Sequence, residues 1–165
     1  MQKNKGITLI ALVTMVIIVL ILASVGTTTG LSVIRQSKYN RAVGEMKIMQ
    51  TKINEMYEEY KSGELNIDNL GTPISDVSSS IQSQINIAYN SVYETNQKIG
   101  NIEEFKYLSA NDINNTLDVD GVEEDYIINI QTREAILING IKNDGEMYYS
   151  LSQITDEQFN VEYVE

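Results

Sequence analysis

The chain of 165 residues contains no cysteine and no histidine. The missing cysteines exclude disulfides, thiolate zinc sites and cysteine nucleophiles, and the missing histidines exclude histidine-based triads and imidazole metal ligands. Serine with lysine is the only nucleophile and base combination that remains. We therefore expect no enzymatic activity and no catalytic residue, and neither a cofactor nor a bound metal.

Acidic residues are missing from the first 44 positions, because all 23 of them lie at Glu45 or later. The part from Arg35 onward holds 23 acidic and ten basic residues, so that it carries a net charge of −13. A surface of this sign repels phosphate. We therefore expect no direct nucleic-acid partner.

One apolar run, Ile7 to Val25, contains no charged residue of either sign, and the uncharged sequence continues to Ile34. As a helix, the 19 residues of this run would span about 28 Å, which is close to the hydrocarbon thickness of a bilayer. The pattern predicts a transmembrane helix within residues 7–34.

Only six residues, Met1-Gln2-Lys3-Asn4-Lys5-Gly6, precede the run. A short basic leader that ends in Lys-Gly, followed by Ile-Thr-Leu-Ile-Ala-Leu-Val, resembles the signal of type IV prepilins and type II secretion pseudopilins. The resemblance implies that a prepilin peptidase removes residues 1–6 by cutting between Gly6 and Ile7, and that it methylates Ile7. It also implies a filament-core helix that begins with Ile7, Thr8, Leu9, Ile10, Ala11, Leu12 and Val13.

Two positions depart from the family pattern. The first mature residue is Ile7, where the family usually has phenylalanine, and the fifth is Ala11, where it usually has glutamate. That glutamate is thought to neutralise the buried N-terminal amine of a neighbouring subunit, and burying an ammonium without a partner is costly. We therefore expect a minor or initiating subunit that assembles with partners bearing the glutamate.

The resemblance implies a structural subunit, a pilin or pseudopilin, of a type IV pilus or a type II secretion-like filament. Its expected partners are the prepilin peptidase, other pilin or pseudopilin subunits and, before assembly, the lipid bilayer. The positive-inside rule is close to a tie, since Lys3 and Lys5 face Arg35, Lys38 and Arg41 across the run. The resemblance favours a single-pass protein of the cell membrane with its C-terminal domain outside, and a cell-surface filament after assembly.

Two alternatives remain open at this point. A secreted binding or adhesin domain would carry a conventional signal peptide cut after Gly26, although its apolar region would exceed the usual length. An uncleaved single-pass anchor would present the same domain at the membrane. Neither alternative explains the glycine directly before the run.

Residues 35–62 show an amphipathic pattern, so we expect one helix from Ile7 to near Lys61, ended by Ser62-Gly63. Within it, Gly26 to Gly30 is either a soft point or a close-packing motif of small residues. The apolar stripe of the amphipathic part predicts a core face and consists of Tyr39, Ala42, Val43, Met46, Met49, Ile53, Met56, Tyr57 and Tyr60.

Residues 63–107 begin with a turn-rich stretch that contains Pro73, the only proline, and continue with a serine-capped helix after Ser78. Residues 108–165 change to a β pattern. Three antiparallel strands are expected as a meander at residues 125–131, 135–139 and 146–151. The sequence of these strands is similar to that of the sheet strands in Gram-positive-type pseudopilin-like proteins. The expected fold class is α+β and pilin-like, with a long N-terminal helix packed on a small C-terminal antiparallel sheet.

The stretch 118–125 gathers five carboxylates around Gly121. Oxygen ligands near a tight turn suit calcium, and some pseudopilins bind calcium in a loop of the sheet. The spacing does not fit a calcium loop, however, because the first and twelfth positions would be Thr116 and Ile127. We interpret Asp118 and Asp120 as part of a solvated acidic turn.

Overall fold

The structure is a computed structural model that describes residues 4–96 and 100–154. Side chains are described in the same ranges except at residues 4–10, 22–32 and 95–96. The chain divides into two units, Met1–Lys38 and Tyr39–Glu165, and each is described by itself.

The first element is a helix, α1, that runs Asn4–Ser62. The prediction of one helix from Ile7 to near Lys61 is therefore confirmed. The helix ends at Ser62 because Gly63 adopts a left-handed backbone with φ of 81°. The N–H of Gly63 then donates to the carbonyl of Tyr60, and the N–H of Glu64 to that of Glu59, which satisfies two terminal carbonyls as in a Schellman motif.

The second unit has a four-stranded antiparallel sheet in the order β1-β2-β3-β4. Its strands are β1 Thr72–Pro73, β2 Lys106–Leu108, β3 Tyr126–Asn129 and β4 Glu134–Leu137. A separate hairpin pairs β5 Ile141–Asn143 with β6 Glu146–Tyr148. The other helices are α2 Ser79–Asn96 and α3 Ala110–Thr116, with 3-10 turns at Ile74–Asp76, Ile102–Glu104 and Leu151–Gln153. The coarse prediction of an α+β fold with a long helix and a small antiparallel sheet is confirmed.

The sheet is buried on both faces because side chains alternate along β3. Tyr126 and Ile128 join the apolar stripe of α1 in one core cluster. Ile127 lies in a second cluster with the buried side of α2, whose members include Ile85 and Val92. All four residues of β3 are buried, as expected for a central strand covered by a helix on each face.

The apolar stripe of α1 is a core face, as predicted. Seven of its residues are buried, and Tyr57 and Tyr60 pack against the same cluster. The turn between β3 and β4 also contacts the helix, since the carbonyl of Arg133 accepts a hydrogen bond from Gln50 at 2.8 Å. The guanidinium of Arg133 lies 4.9 Å from the centre of the Tyr57 ring, a cation–π contact.

The three-stranded meander is wrong in its last strand. Residues 146–148 pair with β5 and not with β4, because Asp144 and Gly145 both have positive φ and form a tight turn directly after β5. A hydrogen bond from Leu137 N–H to the carbonyl of Tyr149, at 2.7 Å, links β4 to the residues after β6. The helix α3 was not predicted, and the connection at 63–107 contributes two strands to the sheet.

The second unit contains both core clusters, so it should fold without the apolar run. We expect a fragment from Arg35 to Glu165 to show one cooperative thermal transition by circular dichroism, since the Tyr39-to-Tyr60 stripe, the sheet and α2 supply its core. A gradual loss of signal without a transition would contradict this expectation.

Candidate functional site

The structure describes the predicted N-terminal site in part. Lys3 lies outside the described residues. Lys5, Gly6, Ile7, Thr8, Leu9 and Ile10 belong to α1, but their side chains lie outside the description. Ala11, Leu12 and Val13 are described, and all three are exposed. Gly26 and Gly30 also belong to α1, but their surroundings lie outside the description.

Residues 11–21 form an exposed apolar helix, which we call the apolar segment. Each of its eleven side chains is exposed, and the large ones retain 47% to 66% of their accessible surface. Thr14 is the only polar residue, and its hydroxyl donates to the carbonyl of Ala11 at 3.0 Å. The segment therefore presents no unpaired side-chain donor to an apolar environment.

Exposed apolar surface of this extent is rare on soluble monomers and marks a surface that contacts a membrane or another protein. Within the residues that the structure describes, no helix is long and apolar enough to cross a membrane.

The acidic turn lies against α1 in the second unit. Its backbone has positive φ at Asp118 and Gly121, and between the exposed carboxylates Val119 and Val122 are buried in the core. In the described part of the chain, no group of three or more acidic side chains is arranged to hold a metal ion. The turn is therefore anchored by its valines, while Asp118 and Asp120 face solvent.

Arg41 connects the helix to this turn. Its guanidinium pairs with Glu123, lies 3.9 Å from Glu124 and lies 3.6 Å from Glu45, one turn along α1. The Glu45 side chain is only 3% exposed, and its Oε2 accepts the N–H of Glu123 at 3.2 Å. Burial raises the pKa of Glu45, and the nearby Arg41 opposes that rise.

The raised pKa of Glu45 predicts how stability changes with pH. A carboxyl whose folded-state pKa lies above the unfolded value of 4.5 stabilises the fold when protonated, and this contribution is lost as pH rises through the folded-state pKa. We expect Glu45→Gln to flatten the decline in stability above pH 4.5, measured by denaturant titration of the Arg35–Glu165 fragment at several pH values. A steeper decline in the variant than in the native fragment would contradict the assignment.

Two further carboxylates hold tyrosine hydroxyls inside the fold. Asp125 accepts hydrogen bonds from Tyr107 at 2.8 Å and from the N–H of Ala110 at 2.9 Å. Burial, followed by the contact with Asp125, raises the pKa of Tyr107 to about 12. Glu134 accepts from Tyr93 at 2.7 Å. These carboxylates are structural, and sequence reasoning missed them because the paired residues lie far apart in the chain.

A groove of about 460 Å³, which we call the spine groove, runs between α1 and the acidic turn. It is lined by Lys47, Ile48, Thr51, Lys52, Glu55, Asp118, Val119 and Asp120. Charges of both signs flank Ile48, whose side chain is 43% exposed. No groove was predicted here from the sequence.

Comparison of the chain with protein-family models, with curated proteins and with solved structures finds no match.

Proposed function

We propose that the protein is a structural subunit, a pilin or pseudopilin, of a type IV pilus or a type II secretion-like filament. A prepilin peptidase removes residues 1–6 and methylates Ile7. The mature helix then leaves the bilayer and packs among the helices of other subunits. The domain that begins at Tyr39 lies outside the membrane and, after assembly, on a cell-surface filament.

The observation that carries the proposal is the apolar segment, eleven consecutive exposed side chains that follow closely after Lys5-Gly6-Ile7. Leaving one large aliphatic side chain in water costs about 1.5–3 kcal/mol relative to burying it. The apolar segment therefore requires an apolar surrounding at every stage. Lipid and a bundle of neighbouring helices are comparably apolar, so transfer between them has a small net cost per residue.

The fold of the second unit is compatible with this role. A long helix with one face buried on a small antiparallel sheet leaves the opposite face available to neighbours. Its acidic loops and exposed carboxylates suit an aqueous exterior. A filament subunit needs a rigid helix that joins the core of an assembly to a folded domain.

Fractionation of the producing cells tests this function. We expect the mature chain in the filament fraction that mechanical shearing releases from the cell surface, and its loss from that fraction in a strain without prepilin peptidase. Recovery as a soluble protein of the medium in both strains would favour the secreted domain. Recovery only in the membrane fraction of both strains would favour the uncleaved anchor.

Ala11 predicts that this subunit is a minor or initiating one. A carboxylate at position 11 would meet the buried N-terminal amine of a neighbour and recover part of the several kcal/mol that its desolvation costs. We expect Ala11→Glu to raise the ratio of this subunit to its partners in sheared filaments by several fold, measured by quantitative mass spectrometry. Abundant homopolymers of the native chain would overturn the minor-subunit assignment.

A further inference from the structure

The helix α2 carries no charge over most of its length. The stretch from Val77 to Tyr93, 17 residues between Asp76 and Glu94, contains no charged side chain. The part of the chain from Arg35 onward has a net charge of −13, so two copies repel each other where their acidic surfaces meet. This repulsion is lower where two copies meet through an uncharged surface. Depletion of charge is also typical of the centre of protein interfaces.

Ile87 lies at the middle of the exposed side of α2. It is 61% exposed, more than any other large apolar side chain described in the second unit. At about 100° per residue it points about 160° away from Ile85, which is fully buried in the cluster between α2 and the sheet. Eight residues of α2 precede Ile87 and nine follow it. Its burial against a second helix would be favourable, at about 25 cal/mol per Å².

Side chains at equal distances before and after Ile87 complement each other. They are the amides Gln84 and Asn90 at three residues, the hydroxyls Ser83 and Ser91 at four residues, and Ser80 and Glu94 at seven residues. When two copies of a helix cross antiparallel at one residue, each position before the crossing lies beside the matching position after it in the other copy. The amide of Gln84 then lies beside that of Asn90. The two serine hydroxyls have partners within their own chain, so these serines act through their small size and let the helix axes approach to about 8 Å.

Glu94 lies in the last turn of α2, where a carboxylate opposes the helix dipole. This turn holds no basic residue, and the first turn, which includes Ser80, holds no acidic one. In an antiparallel pair centred on Ile87, Glu94 of one copy lies beside the first turn of α2 in the other. The N–H groups there lack intrahelical partners and carry partial positive charge. A charge that is unfavourable within one chain therefore becomes favourable between two copies.

We propose that the exposed side of α2 is a dimerisation surface on which α2 of a second copy packs antiparallel, with the two helices crossing at Ile87. The seven-residue spacing of Ser80, Ile87 and Glu94 keeps these positions in contact when the helices cross at about 20°. Both copies use the same surface, so the contact is isologous and closes after two copies. It does not extend a filament, and it does not depend on the proposed function.

The layers of the domain leave room for this pair. In the second unit α1 and α2 cover opposite faces of the sheet, so the two domains lie on opposite sides of the contact and do not overlap. One pair of helices is a small interface, below the roughly 1,200 Å² of standard ones. We therefore expect a weak dimer, which cross-linking can capture.

Cross-linking between two positions tests the register, and the absence of native cysteine leaves no competing thiol. Full-length Ser80→Cys and full-length Glu94→Cys are oxidised in detergent, separately and as a mixture. We expect disulfide-linked dimers from the mixture and less than a tenth as much from either variant alone. The reason is that two copies of Ser80 lie 14 residues, or about 21 Å, apart along an antiparallel pair.

A single cysteine at the crossing tests the symmetry. Ile87→Cys alone should give disulfide-linked dimers and no larger species, because two copies of this residue meet there. Ile48→Cys, at the exposed isoleucine of α1, is the matched control and should give less than a tenth of that dimer.

Charge at position 87 separates pairing from folding. Ile87→Glu, added to both chains of the mixture, places two carboxylates at the crossing and should lower the dimer yield at least tenfold. Its Tm should stay within about 2 °C of the native value, because the side chain is exposed. Ile48→Glu is the control and should leave the yield unchanged. Ile87→Lys in one chain and Ile87→Glu in the other should restore the dimer, because opposite charges then meet.

Four results would overturn the inference. The first is a mixture that gives no more dimer than the single variants. The second is a dimer of Ser80→Cys alone as abundant as that of the mixture, which would indicate a parallel pair. The third is a ladder of larger species from Ile87→Cys, which would contradict a closed contact. The fourth is a dimer yield that Ile87→Glu leaves intact. None of these results bears on cleavage after Gly6, so the proposed function is tested separately.

Discussion

Gly6→Leu should leave the entire population of the chain as the precursor, heavier than the mature form by the six leader residues. Glycine lacks a side chain, so its backbone can lie extended in a protease cleft next to a helix. Gly6 belongs to the first turn of α1, where N–H groups lack intrahelical partners and local opening costs little. A branched side chain beside the scissile bond would obstruct binding to the peptidase.

Ala11→Leu is the matched control, because it adds a similar side chain to the apolar run away from the bond that is cut. We expect normal processing of this variant, measured by the intact mass of the protein from cells that contain the peptidase. Normal processing of Gly6→Leu would show that the cut is not at Gly6.

Ile53→Ala should cause a large loss of stability. Ile53 is fully buried in the cluster between α1 and the sheet. Deleting its side chain leaves a cavity and costs about 2–5 kcal/mol, a large part of the roughly 5–15 kcal/mol that stabilises a typical domain. We expect this loss in denaturant titration of the Arg35–Glu165 fragment.

Ile48→Ala provides the control on the same helix with the same chemical change. Ile48 is 43% exposed, so its truncation should change the stability of the fragment by less than about 0.5 kcal/mol. Equal losses from the two substitutions would contradict the assignment of the core face. Together the variants measure which side of the helix the sheet covers.

The helix and its buried face could be predicted from the sequence because their signals repeat along the chain. The Tyr39-to-Tyr60 stripe recurs at steps of three and four residues, and Gly63 marks the helix end with its positive φ. The strands β3 and β4 were visible as short apolar runs that contain isoleucine, on either side of the turn at Arg133. In each case the residues that determine the element lie close together in the sequence.

The short strands β1 and β2 had no such signal. The strands β1 and β2 contain two and three residues, too few for any periodic pattern, and their pairing joins residues more than thirty positions apart. The helix α3 did have one, because Ser109 and Asp112 form a reciprocal capping box. A search for that spacing finds the start of this helix.

The proposed cleavage site and the contact of Glu45 with Glu123 differ in how far apart their residues lie in the sequence. The proposed cleavage site lies in consecutive residues, from Lys5 to Ile7, and rests on its resemblance to the prepilin signal alone. The contact between Glu45 and Glu123 joins positions 78 residues apart, so it is not visible without the fold.

The mature N-terminus is the most direct test of a filament subunit. We expect mass spectrometry of the protein purified from the producing cells to find Ile7 as the first residue, carrying an N-methyl group. Thr27 as the first residue would instead indicate a secreted domain released after Gly26, and Met1 or Gln2 would indicate an uncleaved anchor; either result would contradict the account.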